Sequence, residues 1–260
     1  MDMQTQGDKG ISLAEALRIQ PGDVVSFVGG GGKTTSILRL ADELTAAGLR
    51  VVTTTSTHIA EEQIHFFPAY IHPGEMASLG KYLDRYGQCL VTGLPDGKGR
   101  VFNIPTELID SLKTRADVDC ILIEADGSKS RPFKAPAAHE PVVLGMTTVL
   151  VPIVGMNCIG KPLDETTVHR PEIVAFLANS LIGDPITPEM VARVLSHTDG
   201  GAKGLPAGAR LVPLLNKVDT GDMRTAGAIA EKLLAYPIVD SVIVGSMDRE
   251  PPVRKMWTHG

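Results

Sequence analysis

The chain reads as a three-layer α/β fold, with a mostly parallel central sheet and helices on both faces. Three observations predict it. An apolar, β-branched run at Val24–Val28 stops at four glycines and passes into a helical pattern. A second apolar strand, Leu49–Thr55, follows that helix at once. Short, continuous apolar runs then return at Cys120–Ile123, Thr148–Val154, Leu211–Leu215 and Val242–Val244. Continuous runs suit strands covered on both faces, and a strand–helix–strand start implies parallel pairing.

The elements can be placed in order. Ser12-Leu13-Ala14-Glu15 has capping-box spacing, so a short helix is expected to about Ile19, ended by Pro21. After the glycine loop, Ile37, Leu40, Ala41 and Leu44 recur at helical spacing, and Gly48 is a natural stop. Residues from about 58 to 115 are less regular and read as an inserted hairpin and helix region over one edge or the mouth of the sheet. There Met76, Leu79, Leu83 and Tyr86 suggest a helix, and Cys89–Leu94 with Arg100–Ile104 suggest a hairpin around Pro95-Asp96-Gly97. Pro105 begins a helix carrying Leu108, Ile109 and Leu112. Thr187-Pro188-Glu189 starts another, with Thr187 as cap, and Ala226, Ile229, Ala230 and Leu233 mark a third. No repeat or clean linker breaks this order, so residues 1–260 read as a single domain.

Composition narrows the function classes. With 260 residues, 43% of them hydrophobic, the chain can bury a substantial core. A net charge of −5 and 4% aromatics give no support to a nucleic-acid partner. No apolar run approaches membrane-spanning length, and the polar first nine residues lack a signal-peptide core. A cytoplasmic protein without a membrane partner is expected. Cys89, Cys120 and Cys158 are odd in number and far apart, which indicates neither a disulfide framework nor a zinc knuckle.

The glycine loop carries the strongest chemical signal. In Gly29-Gly30-Gly31-Gly32-Lys33-Thr34-Thr35, glycines let backbone N–H groups turn inward around phosphates, and Lys33 adds charge at the outer ones. Thr34 can ligate Mg²⁺ and Thr35 can support the inner phosphates. The full G-x-x-x-x-G-K-[ST] spacing would need glycine at Phe27. What remains is a contracted form, similar to the loop of Mur-type ligases and related P-loop enzymes. A P-loop NTPase-like fold binding Mg²⁺ and GTP or ATP is therefore expected.

Other candidates cluster at strand ends. Ile121-Leu122-Ile123-Glu124-Ala125-Asp126-Gly127 ends an apolar strand in two carboxylates spaced two apart, on one side of an extended chain. Asp126 is expected to hold Mg²⁺ through water and Glu124 to orient an attacking water or other nucleophile; with Lys33 they form the candidate catalytic set. The plainer reading is that they cap an Asp-Gly turn. Ser128–Lys134 then carries three cations; Lys129 and Arg131 are phosphate or substrate candidates, although a solvated loop suits them equally. Thr55 and His58 close the second strand and are candidates for phosphate or substrate, against an ordinary threonine-rich strand.

Asn216-Lys217-Val218-Asp219 follows a predicted strand, where N-K-x-D reads guanine in many GTPases. Asp219 would accept from the base, and the Lys217 stem would pack on its ring. Ser246 falls where such proteins place a second base-contacting loop. GTP is favoured over ATP on this motif. Asp126 is followed directly by Gly127, unlike the D-x-x-G switch of signalling GTPases.

In order, these motifs resemble the YqeC-like family of selenium-dependent hydroxylase accessory proteins. The matching stretches are Val28–Thr35, Thr53–His58, Glu124–Ser128, Gly160–Leu163, Val168–Glu172 and Asn216–Asp219, spread from about residue 20 to 250. The resemblance implies a P-loop protein assisting maturation of a selenium-dependent molybdenum hydroxylase or its cofactor, with that hydroxylase or a maturation protein as partner. It also draws in His169 and Arg170, which would act on phosphate charge or substrate, or else simply begin a helix. A small-molecule kinase or ATP-dependent ligase, and a non-hydrolysing nucleotide-gated chaperone, are the alternatives to an NTPase.

Overall fold

Alternate residues of the first strand face opposite ways, and each set finds its own core. The computed structural model describes residues 10–218 and 223–259. It begins with α1 (Leu13–Ala16), where Ser12 accepts from the Glu15 amide and the Glu15 carboxylate accepts from the Ser12 amide. Strand β1 (Val24–Gly29), α2 (Lys33–Ala46) and β2 (Val51–Thr55) follow. The less regular region holds β3 (Ile59–Ala60), β4 (Tyr70–Ile71), α3 (Leu79–Tyr86), β5 (Gln88–Val91), β6 (Arg100–Val101) and α4 (Thr106–Lys113). Next come β7 (Cys120–Glu124), β8 (Phe133–Lys134), β9 (Val149–Gly155), β10 (Val168–His169), α5 (Pro171–Ala178) and α6 (Pro188–Ser196). The chain closes with β11 (Arg210–Leu211), β12 (Leu214–Asn216), α7 (Met223–Leu234), β13 (Ser241–Gly245) and β14 (Val253–Thr258).

Ten strands form one sheet in the order β14-β13-β12-β9-β1-β7-β2-β5-β4, with β11 also paired to β9. Its ladders are parallel apart from the antiparallel β13–β14 pair. Val25 and Phe27 of β1 share a core with Leu13 of α1 and Ile37, Leu40 and Leu44 of α2. Val24 and Val28 belong to the opposite core, with Ile109 of α4, Val174 of α5, Val191 of α6 and Ile229 of α7. The expected three layers follow from this alternation. Each such fully buried aliphatic side chain contributes about 1.5–3 kcal/mol relative to exposure.

Two local expectations are corrected. Cys89–Leu94 was expected in a hairpin with Arg100–Ile104, but β5 instead runs parallel to β2 and β4 inside the main sheet. Its four residues are all buried, which a surface hairpin would not allow. Strand β6 pairs antiparallel with β3, and an isolated bridge joins Pro95 to Val101. The run Leu211–Leu215 is broken into β11 and β12, because Pro213 has no N–H for the ladder. The edge strand β14 and the pairing of β8 with β10 were not anticipated from the pattern, whereas the helix start at Pro171 was one of two readings.

No helix among the described residues is long and apolar enough to cross a membrane. Parallel register brings the useful strand ends to one edge: Glu124 lies opposite both Phe27 and Thr55, Gly29 opposite Ile153, and Asn216 opposite Gly155.

Candidate functional site

The glycine loop is shaped by main chain packed on main chain. Gly31 has φ 90° and Gly32 φ 127°, a region that side chains disfavour. A Cβ on Gly31 would lie 2.2 Å from the Gly155 nitrogen, and one on Gly32 would lie 2.4 Å from Asn216 Nδ2. Gly155 N–H in turn donates to Pro132 O at 2.8 Å, so three loops meet here with no side chain between them. Beyond Gly32 the chain enters α2, and the Lys33 side chain curls back so that Nζ donates to Gly29 O at 2.8 Å.

Lys33 Nζ also lies 3.3 Å from Asp126 Oδ1 and 3.7 Å from Glu124 Oε1. Burial alone would lower its pKa, but these two carboxylates outweigh burial and raise it, so the ammonium stays charged. Glu124 is affected in the opposite way: burial pushes its carboxyl up against the pull of Lys33. Thr34 Oγ1 donates to Glu124 Oε2 at 3.2 Å and accepts from Gln63 Nε2 at 2.9 Å. Gly29 N–H is shared between the two Asp126 oxygens, each 3.1 Å away.

A cleft of about 590 Å³ opens over this loop and is walled by Gly31, Gly32, Lys33, Thr34, Thr35 and Glu124. Lys217, His58 and Lys129 reach it as well. Asp126 does not line the cleft: it is 1% exposed, and its oxygens face Gly29 N–H, Lys33 and Lys134. The Thr34 hydroxyl thus meets Glu124 and not Asp126 at the cleft. One hydroxyl and one carboxylate are hard oxygen donors suited to Mg²⁺, which takes its other ligands from phosphates and water. No cluster of three or more metal-ligating side chains occurs among the described residues.

On the far side of the loop, Asn216 Nδ2 donates to Gly31 O at 2.9 Å while Asn216 Oδ1 accepts from Met247 N–H at 3.0 Å. It therefore ties the glycine loop to the segment after β13. Ser246 Oγ donates to Val218 O at 2.9 Å, so its hydroxyl is used between those two segments. Asp219 lies outside the described residues. Thr55 is buried, with its hydroxyl directed at the carbonyls of Glu124 and Thr57 rather than into the cleft. His58 packs on Phe102 with ring centroids 5.1 Å apart. Arg131, His169 and Arg170 gather in an adjoining cleft.

Gln63 and Glu140 escaped the sequence reading, and Lys134 was read only as one of three cations facing phosphates or solvent. Gln63 holds Thr34, while Lys134 and Glu140 form a buried ion pair at 2.8 Å. The signal for the burial of Lys134 is its place between Phe133 and Ala135.

A family model described as YqeC protein matches residues 25–172, from β1 through the start of α5. The chain belongs to the YqeC family. The Escherichia coli (strain K12) protein named Uncharacterized protein YqeC is 28% identical over 240 residues, covering 91% of this chain and 92% of its own. The family match includes the glycine loop, Glu124, Asp126, Lys134, Glu140 and Arg170, and ends before Asn216. Among solved structures, chloroplast FtsY from Physcomitrella patens is similar at 14% identity and a TM-score of 0.39, over 99% of this chain. FtsY from Mycoplasma mycoides is similar at 11% identity and a TM-score of 0.33, over 93%. The chain spans 66% and 58% of the lengths of those two proteins.

Proposed function

We propose that this YqeC-family protein binds a Mg²⁺–nucleoside triphosphate and hydrolyses it, in support of maturing a selenium-dependent molybdenum hydroxylase or its cofactor. One observation carries the nucleotide reading: the glycine loop, the Lys33 ammonium and the Thr34–Glu124 oxygen pair share one cleft. The loop amides and Lys33 would hold the β- and γ-phosphates, and Thr34 with Glu124 would hold the ion. Bound there, Mg²⁺ neutralises phosphate charge. Asp126 fixes the Lys33 ammonium, so the cation needs little rearrangement to meet an anion. Phosphoryl transfer asks mainly for such prepositioned charge.

Guanine is the favoured base. Asn216 couples the phosphate loop to the segment bearing Ser246, and Lys217 enters the nucleotide cleft from the same strand end. Lys33→Ala should abolish turnover with the fold intact; unchanged turnover refutes the role. Competition among GTP, ATP and CTP tests the base, and equal binding of all three removes the role of residues 216–219. A second reading, transfer to a small acceptor as in a kinase or ligase, is favoured by the cleft that adjoins the nucleotide site. Negligible hydrolysis alone, with strong stimulation by an acceptor, would select it.

A further inference from the structure

The second cleft, about 680 Å³, shares His58, Gly127 and Lys129 with the nucleotide cleft, so the two open side by side. Its remaining wall includes Arg131, Glu140, His169 and Arg170. From Arg170 and Glu140 a chain of charges runs inward to the buried Lys134 and Asp126. Lys134 Nζ lies 2.9 Å from Asp126 Oδ2 and 2.8 Å from Glu140 Oε2, and donates to Gly127 O at 2.6 Å. Glu140 then accepts a two-pronged fork from Arg170, at 2.7 and 3.0 Å. Two guanidinium donors are used in that fork, leaving three for a ligand.

The backbone around this cleft is held in an unusual form. Lys129, Ser130 and Arg170 have φ of 48°, 59° and 64°, left-handed conformations in residues that carry a Cβ. Such conformations persist where the surroundings over-determine them, and they collect at ligand sites. Here β8 and β10 supply the clamp, pairing Val168 with Phe133 and His169 with Lys134. A merely solvated loop would need neither the clamp nor a lysine side chain that is 1% exposed.

Four cations, Arg100, Lys129, Arg131 and Arg170, line the cleft against three carboxylates, Glu140, Glu165 and Glu172. Arg100 is paired with Asp96, and Arg170 with Glu140. Lys129 and Arg131 have no carboxylate within ion-pairing distance among the described residues, although Asp164 feels the Arg131 charge. Glu165 and Glu172 also line the cleft and are exposed to solvent. His169 registers the field: burial first, then Arg170, Lys134 and Lys129, push its imidazole down to about 4. At neutral pH it is an uncharged ring that can share a hydrogen bond without adding charge.

We propose that this second cleft binds the phosphate group of a small-molecule substrate, using Lys129, Arg131 and Arg170. Two free cations and a preset guanidinium match a dianionic phosphate better than a singly charged carboxylate. Only its place beside a nucleotide rests on the function proposed above.

The test is calorimetric titration of inorganic phosphate into the full chain saturated with Mg²⁺ and a non-hydrolysable GTP analogue. Saturable binding is expected, weakened at least about tenfold by Arg131→Ala and by Lys129→Ala and partly restored by Arg131→Lys. Acetate at equal ionic strength should not displace it. Neither side chain is fully buried, and melting temperatures verify that the variants fold. No phosphate uptake, uptake indifferent to both substitutions, or equal displacement by acetate overturns the site. If the analogue itself does not bind, the nucleotide reading fails instead. The phosphate titration is then made on Lys33→Ala, where uptake sensitive to Arg131 upholds the second cleft and its absence overturns it.

Discussion

Lys134 and Asp126 form an ion pair, Nζ to Oδ2 at 2.9 Å, with both side chains at most 2% exposed. Neither charge meets solvent, so each depends on the other and on Lys33 and Glu140. Removing one partner from such a group strands the other, at a cost of about 3–5 kcal/mol. Lys134→Met is therefore expected to lower the unfolding free energy by that amount, read as a lower urea midpoint with an unchanged slope. A loss below about 1 kcal/mol would show that the chain of charges is dispensable for folding.

Acid should act on this region in two separate windows. Burial raises the Glu140 pKa, but bonds from Arg170 and Lys134 outweigh it and hold the carboxyl at about 2, below its ordinary 4.5. The folded form is the weaker proton binder, so Glu140 contributes fully above pH 4.5 and loses its contribution as pH falls toward 2. The amount is on the order of 3 kcal/mol. His169, lowered from 6.5 to about 4, protonates first in the unfolded chain, so stability falls from pH 6.5 to about 4. Denaturation curves against pH should flatten in the lower window for Glu140→Gln and in the upper for His169→Gln.

Asn216→Ala deletes both bonds between the glycine loop and the segment after β13. Gly31 O and Met247 N–H would be left buried and unpaired, costing about 1–3 kcal/mol. Nucleotide affinity should fall in parallel, because the loop loses its lateral support. A variant with wild-type affinity and stability would contradict this bracing role.

Glycine positions offer a comparison within one protein. Gly160 has φ 75° and open space for a Cβ, so Gly160→Ala should cost only the left-handed penalty of about 1–2 kcal/mol. Gly31→Ala meets the Gly155 backbone at 2.2 Å and Pro132 O at 2.8 Å, neither of which can rotate away. Its loss should be clearly larger, and nucleotide binding should fail. Similar losses from the two variants would sink the packing account.

Chelation of Mg²⁺ is expected to remove turnover, and Glu124→Gln to lower it about 100-fold or more while the fold is kept. Asp126→Asn should lower stability as well as turnover, because its oxygens serve the two lysines. If Asp126→Asn alters only metal dependence, the assignment of Thr34 with Glu124 is reversed.

Much of this was legible in order and spacing. The runs at Val24, Leu49, Cys120 and Thr148 each give a strand, because a strand buried on both faces leaves a continuous apolar signature. The glycine loop was legible because few backbones need four glycines followed by lysine and threonine. Pairing partners were not. Four buried residues at Gln88–Val91 look alike whether they neighbour β2 or Arg100, and the Pro95-Asp96-Gly97 turn signal suggested the nearer choice. Nor could spacing show that Asp126 turns inward while Glu124 faces the cleft, since that depends on Lys134 arriving from another loop. Glu140 and Arg170 stand 30 positions apart in sequence, and only the small β8–β10 sheet brings them together.

The triple junction of residues 31, 132 and 155 has an engineering corollary. Where peptide groups touch without intervening side chains, contour is dictated by chain path, and rotamer choice has no say. Libraries aimed at changing nucleotide selectivity should leave this junction alone and diversify Lys217 and Ser246. Indels in any one of the three crossings would oblige the other two to be redrawn.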